Sequence, residues 1–174
     1  MIPLTQNPTP EVELWVETRE DVELTHKAEL PTVSTWQTWF KIWLSELKPT
    51  SSPIGRYEVN LLLTDDVTIR QLNATYRHQD KATDVLAFAA QETEIPGAQT
   101  IYQTAPLPLG DVVISVETAQ RQRHDAHYSL TQELAWLAAH GLLHLLGWDH
   151  PDDIALKIML EQQQQLLRQI DLTF

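Results

Sequence analysis

The residues with the most chemistry to offer form one run, His140-Gly141-Leu142-Leu143-His144-Leu145-Leu146-Gly147-Trp148-Asp149-His150. Side chains four apart on an α-helix sit about 40° apart around the axis and one turn apart along it. His140 and His144 therefore project from one face and can reach a common ion. Gly147 follows the apolar run at the point where a left-handed residue ends a helix without steric cost, so the chain can turn and bring His150 back beneath the other two. Three neutral imidazoles with a fourth coordination place left open match a catalytic zinc site rather than a closed structural one. That open place is where a water or a substrate oxygen is activated for hydrolysis. The chain has no cysteine, so any metal must be held by His, Asp or Glu. The expectation is one divalent ion, zinc, on His140, His144 and His150; three imidazoles also suit nickel, copper or iron.

The spacing H-x-x-x-H-x-x-G-x-x-H is also that of the metzincin peptidases, which carry a glutamate directly after the first histidine as general base. Here that position is Gly141, which cannot take a proton, and a zinc-dependent peptidase is therefore the alternative reading rather than the leading one. Asp149 precedes the third histidine and is expected to orient an imidazole from behind the ligands. Glu133, seven residues before His140 and near the same helix face, is a further candidate, as a base or a hydrogen-bond acceptor.

These side chains need a scaffold, and the pattern of the chain describes one. Alternation predicts a strand at Val12–Val16 and others at Tyr57–Leu63, Val85–Ala89 and Val112–Ser115. Trp36, Phe40, Trp43, Leu44 and Leu47 recur at helical spacing between Pro31 and Pro49, and read as core. Asp65 and Asp66 open a second helix that buries Ile69 and Leu72. Three more helices are expected at Val116 to about Arg123, Ser129–Leu146 and Asp152 to about Ile170, with Ser129 as a cap and the Gln162–Gln165 run on a solvated face. Arg19–Leu30 shows no period. Gln91–Leu109, with three prolines, reads as a long connection. The layout is α+β: a single domain over residues 12–174 with a small mixed sheet of about four strands packed with helices, a metal-binding helix near the C-terminus, and a loose arm over residues 1–11.

Composition sets outer bounds. A chain of 174 residues with 43% hydrophobic content can bury a real core, and it has no apolar run of membrane-spanning length. Met1–Pro10 has neither positive charge nor an apolar stretch, so a secretory signal is not expected and the cytoplasm is the expected compartment. The net charge of −12 supplies no long-range attraction to nucleic acid, so RNA binding would rest on a local basic patch.

The histidine run, with Leu72-Asn73-x-x-Tyr76-Arg77, Thr83-Asp84-Val85-Leu86-x-Phe88 and Leu109-Gly110-Asp111-Val112 in the same order, resembles the YbeY family of bacterial endoribonucleases over roughly Tyr57 to Ile170. The family usually has Pro before Thr83 and after Phe88, and Ser before Phe88; here those positions are Ala82, Ala89 and Ala87. The resemblance implies a metal-dependent endoribonuclease specific for single-stranded RNA, acting in maturation of the 16S rRNA 3′ end and in ribosome quality control. It implies ribosomal subunits and assembly factors as partners, with no role for membrane or DNA. It also makes Arg77 the candidate catalytic phosphate clamp, since a guanidinium fork can bind phosphoryl oxygens in a bidentate way. A third reading is a non-catalytic ribosome assembly factor with structural zinc, whose acidic surface would suit basic ribosomal proteins.

Overall fold

The fold is that of a computed structural model, which describes residues 9–90 and 97–172. Four strands form one sheet: β1 (Glu11–Thr18), β2 (Arg56–Thr64), β3 (Val85–Ala89) and β4 (Leu107–Ser115), in the spatial order β1-β2-β4-β3. β1, β2 and β4 run parallel, and β3 closes one edge antiparallel to β4. The helices among the described residues are α1 (Glu20–His26), α2 (Val33–Leu47), α3 (Asp66–Arg77), α4 (Ala98–Ile101), α5 (Val116–Ala126), α6 (Leu130–Leu145) and α7 (Asp153–Arg168). This is the single α+β domain with a mixed sheet that the sequence implies. None of these helices is long and apolar enough to cross a membrane.

The helix starts follow from short polar side chains. Thr32, Asp65, Ser115, Ser129 and Asp152 each accept a hydrogen bond from the backbone N–H three residues on, which satisfies a donor the helix cannot pair internally. Ser129 and Gln132 complete a reciprocal capping box on α6.

One face of the sheet carries the main core. Tyr57, Val59, Leu61 and Leu63 of β2 meet Trp36, Phe40 and Trp43 of α2 and Leu134, Ala138 and Leu142 of α6 in one buried cluster. The tryptophan stripe is thus packing, and the Trp43 indole N–H donates to the Leu166 carbonyl at 3.0 Å, tying α2 to α7. α3 covers part of the opposite face, where Ile69 packs with Leu86 and Val113.

Two elements depart from the sequence reading. α1 lies in the stretch without a period, where Val22 joins the buried core; three acidic residues in its first turn favour the positive end of the helix dipole. β4 begins at Leu107 rather than Val112. Its inward residues are Leu107 and Leu109, then Val112 and Ile114, a change of phase produced by a bulge opposite Glu58 and Val59. Gly110 sits in this bulge at φ +127°, where a Cβ would lie 2.0 Å from the Phe88 carbonyl oxygen. Pro108 is tolerated because β3 pairs β4 only from Gly110 onward, leaving one side of the proline unpaired. The long connection is correspondingly shorter and contains α4; its residues 91–96 lie outside the described residues. Of the expected N-terminal arm, Glu11 already belongs to β1 and residues 1–8 also lie outside the described set.

Candidate metal centre

α6 is buried along most of its length because it lies directly on the sheet. Gly141 makes this approach possible: a Cβ there would stand 2.6 Å from Cγ1 and 3.0 Å from Cγ2 of Val112 in β4. With that side of the helix against the sheet, His140 and His144 emerge on the side facing the end of α3 and the edge strand β3. After Leu145 the helix closes in a Schellman turn. Trp148 N–H donates to the Leu143 carbonyl at 3.0 Å and Gly147 N–H to the His144 carbonyl at 2.9 Å, with Gly147 at φ +85°. Asp149 then accepts the backbone N–H of His150 through Oδ1 at 2.8 Å, shaping the turn that returns the third imidazole.

The outcome is one cluster. A ligand atom from each of His140, His144 and His150 lies within 4.8 Å of the other two. The Nε2 atoms of His140 and His144 are 3.1 Å apart. Two nitrogens bound tetrahedrally to zinc at about 2.0–2.1 Å would be about 3.3–3.4 Å apart, so this pair is within about 0.3 Å of the separation such an ion requires. Burial pulls the His140 imidazole below its ordinary value, and His150 nearby pulls it further; the hydrogen bond that His140 donates to Gln163 and the charge of Asp84 oppose this. Burial likewise lowers His144, helped by the charge of His140. Both rings are therefore biased toward the neutral form, the form that binds a cation.

The cluster opens on a cleft of about 380 Å³ walled by Arg77, by Val85–Ala87 of β3 and by Trp148 and Asp149. Arg77, at the exposed end of α3, donates through Nη2 to the Ala87 carbonyl at 3.0 Å and forms no ion pair among the described residues. One bond anchors the guanidinium and leaves most of its donors available.

The other expected residues sit differently. No hydrogen bond joins Asp149 to an imidazole among the described residues; its carboxylate holds the turn, and its charge favours the protonated form of His144. Glu133 is buried about 10 Å further along α6 from His140. Burial raises its pKa, and the charge of Asp84 raises it again. Asp84 itself accepts from Val85 N–H at 2.8 Å, from the Thr83 hydroxyl at 3.2 Å and from Gln122 Nε2 at 3.0 Å. It is the carboxylate whose charge bears on His140, and sequence reasoning assigned it no such place. Gln163 was expected on a solvated face; it is fully buried, with Oε1 3.1 Å from His140 Nδ1. Its spacing from Met159, Leu166 and Leu167 on the buried face of α7 was the available signal.

Fold and centre together define a small α+β domain that gathers a histidine trio able to hold a metal ion at the end of a helix packed on its sheet. The chain belongs to the family described as Endoribonuclease YbeY, whose sequence profile matches residues 22–171. Relatives bearing that name include one from Acaryochloris marina, 56% identical over 137 residues that cover 78% of this chain and 77% of that one. Another, from a Cyanothece strain, is 53% identical over 154 residues, covering 88% and 90%. One from a Picosynechococcus strain is 46% identical over 165 residues, covering 95% and 98%. The solution structure of a Thermotoga maritima protein has a similar fold, with a TM-score of 0.56 at 20% identity, covering 91% of this chain and 89% of that one.

Proposed function

We propose that this chain is a zinc-dependent endoribonuclease that cuts single-stranded ribosomal RNA in the cytoplasm, working on ribosomal subunits alongside assembly factors during 16S 3′-end maturation and quality control. The observation that carries the reading is the convergence of three half-buried imidazoles on one point, facing a cleft with Arg77 on its wall. His140, His144 and His150 would hold the ion, which when bound supplies Lewis-acid stabilisation of charge developing on phosphoryl oxygens. Arg77 is the phosphate clamp: anchored at Ala87, its free N–H groups face a cleft where an RNA phosphate can lie. The local positive charge is what lets a chain of net charge −12 hold RNA at this one place.

No protein base occupies position 141, which lines the cleft as glycine, and a Cβ there would run into Val112. The same packing weighs against a metzincin-like peptidase. The nucleophile is instead the RNA's own 2′-hydroxyl. Its oxygen attacks the adjacent phosphorus as its proton passes to solvent water, and the 5′-oxygen departs and takes a proton from water, leaving a 2′,3′-cyclic phosphate and a 5′-hydroxyl.

The test is cleavage of single-stranded and duplex RNA by protein whose metal content has been measured, with and without a chelator. Single strands should be cut only with metal present. Arg77→Lys should lower cleavage more than tenfold while leaving stability within about 0.5 kcal/mol, because the side chain is exposed. His144→Ala should abolish cleavage. A folded His144→Ala protein that cuts normally would overturn the reading, and cleavage at a 2′-deoxy nucleotide would remove the 2′-hydroxyl route. The acidic surface favours one competitor, a non-catalytic factor docking on basic ribosomal proteins, for which His144→Ala would cost fold stability with no RNA cleavage to lose.

A further inference from the structure

We infer that Gln163, on the last helix, is a positioning residue for the metal centre: its side-chain amide fixes the tautomer of His140 and so leaves Nε2 as the bare atom that meets the cation. The inference rests on the reading of His140 as a ligand.

Gln163 is fully buried on the inner face of α7, so its amide cannot be satisfied by solvent. One end lies 2.8 Å from the backbone carbonyl oxygen of Trp136. A carbonyl only accepts, so the –NH2 end must point there. The oxygen Oε1 is thereby committed to the other neighbour, His140 Nδ1, at 3.1 Å. An amide oxygen cannot donate, so Nδ1 must carry the hydrogen. A neutral imidazole has one N–H, and Nε2 is left with its lone pair free. That atom is the one 3.1 Å from Nε2 of His144.

The relay leaves α6 at the Trp136 carbonyl, crosses to α7 and returns to α6 one turn later at His140. It connects two helices that pack side by side, so the aim of one ligand depends on the seating of α7. A solvated histidine side chain favours the opposite tautomer, with the hydrogen on Nε2, where it would block the metal. Gln163 therefore does more than fill a buried space. A partner that orients a ligand histidine in this way characteristically changes metal affinity by about 10–100-fold.

Three proteins test this: the wild type, Gln163→Leu, which keeps the volume and removes the acceptor, and Gln163→Glu, which keeps the acceptor toward His140. Long-range ¹H–¹⁵N spectra of the metal-free proteins read the tautomer directly, and zinc affinity is measured by competition with a chromophoric chelator. The wild type should show His140 protonated on Nδ1. The Leu variant should shift toward the Nε2–H form and bind zinc about 10–100-fold more weakly, and the Glu variant should recover most of that loss. A wild-type spectrum with the hydrogen on Nε2 overturns the inference, as does a Leu variant that binds zinc as tightly as the wild type. Should the Leu variant not fold, the wild-type tautomer and the Glu affinity decide. If the wild type bound no zinc, the metal reading would fail on its own, while the tautomer would still report whether Gln163 sets the ring.

Discussion

Replacing Gly141 by alanine sets two known effects against each other at one atom. Alanine in place of glycine inside a helix is favourable by about 1 kcal/mol, since less backbone freedom is lost on folding. The added methyl, however, would stand 2.6 Å from Val112 Cγ1 and 3.0 Å from Cγ2. Val112 cannot swing aside easily. Its side chain is stiff at χ1, it is fully buried, and its strand is paired on both sides, to Leu61 and to Ala87. Overpacking of this kind costs about 1–3 kcal/mol. A 2.6 Å approach to a stiff, buried valine belongs in the upper part of that range, about 2–3 kcal/mol, so the net loss should be about 1–2 kcal/mol, a fall in Tm of about 2–8 °C for a domain of this size.

The assay is urea denaturation with chelator present, so that metal binding does not contribute to the stability measured. Val112→Ala removes both offending methyls and alone should cost about 2 kcal/mol through the space it leaves. The two substitutions together should be more stable than their sum predicts, by at least about 1 kcal/mol, because the new methyl enters the vacated volume. If Gly141→Ala equals or exceeds the wild type, or if the two changes simply add, the account of why this residue is glycine is wrong.

Two further outcomes follow from the packing around the site. Gly110→Ala places a Cβ 2.0 Å from a backbone oxygen at a left-handed φ, so it should cost about 3 kcal/mol or more; a urea midpoint within about 1 kcal/mol of wild type would refute the close approach to β3. The pKa of Glu133 is raised from its ordinary 4.5 by burial and then by Asp84. Between 4.5 and its raised value the folded state holds the proton more tightly, so this group stabilises the fold below that window relative to above it, and the wild type loses stability as pH rises through it. Glu133→Gln should therefore match the wild type near pH 4.5 and exceed it at neutral pH; parallel pH–stability curves would show that the carboxyl is not so placed.

What could be read from the sequence was whatever repeats locally. The i, i+4 histidines, the helix-ending glycine, the caps and the apolar stripe of α2 each depend on neighbours a few residues away, and each appears where its spacing implies. What escaped depends on partners far along the chain. α1 is too short to bury a stripe. The start of β4 was hidden by a bulge that moves its inward residues from odd to even numbers, and by a proline permitted only because β3 ends where it does. Asp84 bears on His140 from a loop 56 residues earlier, and Gln163 reaches it from another helix. Gln163 was misread by composition: among neighbouring glutamines it looks like surface, although its helical phase with Met159 and Leu167 places it inside.

The same geometry explains why glycine directly follows the first histidine. On a helix, adjacent residues point about 100° apart, so a helix that lays position 141 on the sheet turns position 140 out of it toward the cleft. Position 144 follows 140 by one turn and shares its direction. An acid at 141, as in a metzincin, would first have to place its Cβ against Val112, so the valine would have to give way or the helix stand further off the sheet. Glycine at 141 is the residue that lets α6 lie close against Val112 of β4 while His140 and His144 line the cleft.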